Sequence, residues 1–121
     1  MAKKKRTTRS AATITAITKA LREPFLKIDA RYDALYDACT TDKQRKQLRE
    51  MRDLARDIFW KAVKIGVEPG NALAKQLHAD LVKANKQINA ELKDLKDMTE
   101  TISFLTELLK TAASLAVLAA A

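Results

Sequence analysis

Residues 71–121 read NALAKQLHADLVKANKQINAELKDLKDMTETISFLTELLKTAASLAVLAAA, a run of 51 residues without a single glycine or proline. Leu81, Ile88, Leu95, Ile102, Leu109 and Ala116 stand seven apart within it. A second row lies three residues behind, at Ala84, Glu91, Met98, Leu105, Ala112 and Ala119, and Leu77 leads it. Apolar rows at this spacing are the two seam positions of a heptad helix, and Glu91 is the one charged intruder. The pattern predicts one unbroken helix, which at 1.5 Å per residue would be about 75 Å long. Leu92 is expected to rotate into the seam while Glu91 turns to its edge. The seam residues Leu81, Ile88, Leu95, Met98, Ile102, Leu105, Leu109, Ala112 and Ala116 are therefore expected to mediate self-association.

The rest of the chain supplies further helices. Thr41-Asp42-Lys43-Gln44 carries the capping-box pattern that opens a helix. Behind it, Leu48, Met51, Leu54, Ala55, Ile58, Phe59, Ala62 and Ile65 trace a buried face. Gly66 suits a helix C-terminus, and Glu68-Pro69-Gly70-Asn71 is the strongest turn signal in the chain, with Asn71 placed to cap the next helix. These signals predict an antiparallel hairpin of about 41–66 and 71–121. Its two helices are expected to be neighbours, and the half of the second beyond Met98 has no partner unless the helix upstream of the hairpin or another copy supplies it. Upstream, Ser10 suits an N-cap. Ile14, Ile17, Leu21, Phe25, Ile28, Tyr32, Leu35 and Cys39 mark one face of another helix, and Pro24 is expected to kink or break it. The fold class is all-α, with a basic flexible arm at 1–10 and a single elongated helical domain at 11–121.

Charge is unevenly placed along these 121 residues. Residues 1–10 hold Lys3, Lys4, Lys5, Arg6 and Arg9 and no acid, which is five of the net eight positive charges. Residues 71–121 hold six bases and six acids and are neutral. A cluster of bases without acids or large apolar side chains suits a polyphosphate or an anionic lipid surface. Arg45, Arg49, Arg52 and Arg56 form a second basic row, within about a 60° arc of one helix at 100° per residue. Asp53 and Asp57 beside that row suit a solvated surface, with Arg49–Asp53 and Asp57–Lys61 spaced for ion pairs. Trp60, one turn past Arg56, has an interface to fill if it stands outside the core.

The tail from Thr111, TAASLAVLAAA, has no charge on any face. It belongs to a bundle core or to lipid, with Trp60, Leu115, Val117 and Leu118 as the membrane contacts in the second case. Its heptad phase with Ile102 and Leu105 favours the bundle. No phosphate loop, nucleophile elbow or metal-ligand spacing is present in the sequence, and His78 stands alone. No metal, cofactor or small-molecule substrate is expected, and the single Cys39 leaves no internal disulfide to form.

The expected function is a non-enzymatic assembly protein, homo-oligomeric through its long helix. Its basic part would engage nucleic acid or another acidic partner in the cytoplasm or within an assembly. In architecture alone the layout resembles small virion and nucleoid proteins. The alternative is a membrane-associated helical oligomer whose tail enters the bilayer.

Overall fold

The computed structural model describes the backbone of residues 2–63 and 72–119 and the side chains of residues 15–63 and 72–119. Those residues form an all-α fold of five helices: α1 (Ala2–Ala30), α2 (Tyr32–Ala38), α3 (Asp42–Ala62), α4 (Ala72–Lys93) and α5 (Met98–Ala119). The expectations for Ile14, Ile65, Gly66, the turn at 68–71 and the Asn71 cap lie outside the described residues.

The expected single helix over 71–121 is two helices. The chain leaves the helix at Asp94–Asp97 and restarts at Met98. Two aspartates make the interruption. Asp94 Oδ1 accepts from the Lys96 amide at 3.2 Å, and Asp97 Oδ1 accepts from the Glu100 amide at 3.2 Å, which caps α5. Breaking a helix costs a few backbone hydrogen bonds, whereas folding it back buries Ile102, Leu105, Leu108, Leu109 and Leu115 against the rest of the chain. Each such side chain contributes about 1.5–3 kcal/mol on full burial, so the folded-back form wins. At 22 residues each, α4 and α5 are about 33 Å long, and the elongated shape expected from the sequence is not adopted.

Four long helices share one core. The Thr18 hydroxyl meets the Ala62 carbonyl at 3.5 Å, Phe25 meets Phe59, and Asp29 pairs with Arg52, so α1 runs antiparallel to α3. Gln44 with Thr99 and Met51 with Thr106 set α5 parallel to α3. Asn85 with Ala20 and Arg31 with Leu92 set α4 parallel to α1. The short turn makes α4 and α5 antiparallel neighbours. Helices α3 and α4 are antiparallel, as the hairpin pattern predicts, but they are not packed neighbours: α5 lies between them, touching both, and α1 closes the other side. The apolar α5, with ten buried residues, takes the place beside α3 that the hairpin pattern assigns to α4.

This arrangement supplies the partner the seam needs. Leu81, Ile88, Met98, Ile102, Leu105, Leu109, Ala112 and Ala116 are all buried inside one chain, and Leu95 is half-buried against the same core. Within one chain these side chains are therefore covered without a second copy. Leu92 is buried and Glu91 sits at the edge, as the seam pattern implies.

Pro24 neither breaks nor ends α1, which continues to Ala30. Proline has no amide hydrogen, so it leaves the carbonyl four residues earlier, that of Ala20, without its helical donor. The buried Asn85 side chain donates to that carbonyl from α4 at 3.0 Å. The interruption expected at Pro24 falls instead at Arg31, between α1 and α2. Arg31 Nη2 there donates at 3.0 Å to the carbonyl of Leu92, in the last turn of α4, where a cation satisfies an orphan acceptor and the helix dipole together.

Candidate functional site

The basic stretch Lys3–Arg9, expected as a flexible arm, forms the first turns of α1, and Ser10 lies within that helix. The side chains of Lys3, Lys4, Lys5, Arg6 and Arg9 lie outside the described residues. Their place in the fold comes from the backbone. Thr18 meets Ala62, the last residue of α3, and α1 runs antiparallel to α3, so the residues before Thr18 carry α1 past the end of α3.

Helix α3 starts where Thr41 predicts. The Thr41 hydroxyl accepts from the Gln44 amide at 3.1 Å, while Gln44 Oε1 accepts from the Thr40 amide at 2.7 Å, one residue upstream of the usual capping-box partner. From that start the arginine row divides. Arg45 pairs with Asp42 at 2.8 Å, donates to the Cys39 carbonyl and faces the Tyr36 ring. Arg52 pairs with Asp29 at 3.3 Å and lies 4.3 Å over Tyr32. Both guanidinium groups hold α2 and the end of α1 against α3. Arg56 pairs with Asp53 at 3.4 Å, in place of the expected Arg49–Asp53 pair, and the Asp57–Lys61 pair forms at 2.9 Å. Arg49 is exposed, with no ion pair among the described residues. Half of the row, Arg45 and Arg52, is therefore internal fastening. Its spacing carries no sign of that role, because Tyr32, Tyr36 and Asp29 come from other helices.

Trp60 stands 61% exposed, edge-on to Phe59, which is itself packed on Phe25 and covered by Arg22 at 4.4 Å. Of the other residues expected at a membrane, Leu115 is fully buried in the core and is withdrawn from that role, whereas Val117 and Leu118 are exposed. Leu54, expected in the core of α3, is 39% exposed because α1 and α5 cover only the Leu48/Met51/Ala55/Ile58/Ala62 side. Helix α5 is long and apolar enough to cross a membrane by length and composition, and the same residues form the core of the bundle.

A groove of about 500 Å³ between α1 and α4 is lined by Lys19, Glu23, His78, Asn85, Lys86 and Asn89, among others. Inside it Asn85 Oδ1 and His78 Nε2 have no protein partner. Among the described residues no group of three or more acidic, histidine or cysteine side chains is placed to hold a metal ion. Burial pushes the Cys39 thiol up from its ordinary value, with the Arg45 charge opposing the shift, and its Sγ lies 3.3 Å from the Leu35 carbonyl.

No family model, no curated protein and no solved structure matches this chain.

Proposed function

We propose that this protein is a non-enzymatic helical module that engages a polyanion through the basic N-terminal part of α1. One observation carries the reading: five of the eight net positive charges fall in residues 1–10, without an acid among them, on a helix that runs past the end of α3. Such a cluster costs nothing in core packing and releases condensed counterions from a phosphate array, giving affinity that depends steeply on salt. The arginine row plays a smaller part, since Arg45 and Arg52 are engaged within the fold and Arg49 and Arg56 remain at the surface.

Deleting residues 2–10 tests this with a salt titration of binding to a DNA duplex. The truncated chain should bind far more weakly, and the slope of log affinity against log salt should flatten by about 4.5, at about 0.9 for each of the five charges lost. Equal affinity of the two chains would refute the reading and move the site to the exposed arginines of α3.

A further inference from the structure

We propose that the end of the bundle from which the basic segment projects is a seat for an anionic bilayer surface, so that the polyanion bound by α1 is a lipid headgroup array. The proposal rests on the polyanion reading and adds an apolar contact to it. Of the eight large hydrophobic side chains left exposed among the described residues, five belong to this end: Trp60, Val63, Leu73, Val117 and Leu118. Three helix directions bring them together. Helices α3 and α5 run parallel, so Trp60 and Val63 finish at the level where Val117 and Leu118 finish. Helix α4 runs antiparallel to α5 and carries Leu73 in its first turn, at the same end of the bundle.

Exposure at this end is substantial, at 61% for Trp60 and 76% for Val117, and packing inside the chain does not require it. Charge selects the occupant. Residues 2–10, with five bases and no acid, run past the same end, and the nearby Asp57 is paired with Lys61 at 2.9 Å. A second copy would bring like charge to like charge. A nucleic acid backbone would satisfy the bases but leave the valines and leucines in water. An anionic bilayer meets both: the phosphates face the lysines and arginines, and the apolar rim enters the boundary between headgroups and acyl chains, where an indole is favoured. Helix α5 stays in the bundle, because Leu105, Leu109 and Leu115 are its core, so the contact is peripheral and nothing crosses the membrane.

The test is co-flotation of the full chain with phosphatidylcholine vesicles and with vesicles that also contain phosphatidylglycerol, run beside DNA-duplex binding. The expected result is flotation with the anionic vesicles only. Deletion of residues 2–10 should cut that partitioning by about three and a half orders of magnitude at low salt, at roughly 1 kcal/mol for each of the five charges lost. The double variant Trp60→Ser/Val117→Ser changes two exposed side chains and should keep the helical signal and melting temperature. It should lower vesicle partitioning about tenfold or more while leaving any DNA affinity unchanged. DNA binding without vesicle binding would overturn the bilayer seat and leave the polyanion reading standing, whereas binding to neither would overturn both. Vesicle binding indifferent to the double variant, or equally strong on neutral vesicles, would also overturn the seat.

Discussion

Replacing Asn85 with alanine removes the donor that stands in for the amide Pro24 lacks. The Asn85 side chain is buried, its amide reaches Ala20 O at 3.0 Å, and its own oxygen has no protein partner, so the loss concentrates on one hydrogen bond. Leaving a buried carbonyl without a donor costs about 1–3 kcal/mol, and we take about 2. At an unfolding entropy of about 2.1 cal/mol/K per residue, a chain of 121 residues should melt about 8 °C lower. The decisive assay is a double-mutant cycle with Pro24→Ala, read by thermal and urea unfolding. Alanine at 24 returns a backbone amide to Ala20, so Asn85→Ala should then cost only its small cavity, which is common to both backgrounds and cancels. A coupling of at least about 1 kcal/mol is expected. If Asn85→Ala costs the same in both backgrounds, to within about 0.5 kcal/mol, Asn85 does not replace the missing donor and the account of α1 fails.

Asp97→Ala should remove the cap of α5 and lower stability by about 1 kcal/mol, seen as a melting shift of about 4 °C. Ile102→Asp with Leu105→Asp places two charges in the core of a single chain, so circular dichroism should report loss of helix rather than conversion of a folded oligomer to folded monomers. For Cys39 the folded-state pKa is raised, so its contribution to stability is present below the ordinary thiol range and is lost as pH rises through it. Wild type should therefore lose melting temperature between about pH 8 and 10 relative to Cys39→Ser, and a thiol reagent should react with Cys39 much faster after unfolding.

The sequence alone determined that this chain is helical, where α3 begins, and which faces are apolar. Those properties are local: Thr41 and Gln44 lie three apart, and the rows Leu48/Met51/Ala55 and Leu81/Ile88 need only the helical period to be recognised. It also set Leu92 inward and Glu91 to the edge. The turn at Asp94–Asp97 was legible too, in the Asp97-x-x-Glu100 capping pattern, but the heptad repeat keeps its phase across it and masked the break. Apolar spacing shows that a face must be covered without showing by what. Tertiary structure decided that. It folded α5 back between α3 and α4, because burying one helix inside the chain needs no second copy and loses no freedom of association. It supplied Ala20 with a donor from 65 residues away, and turned Arg45 and Arg52 inward onto tyrosines of another helix. It also gathered Trp60, Leu73 and Val117 at the end from which the basic helix projects, a placement set by three helix directions that no single stretch of sequence encodes.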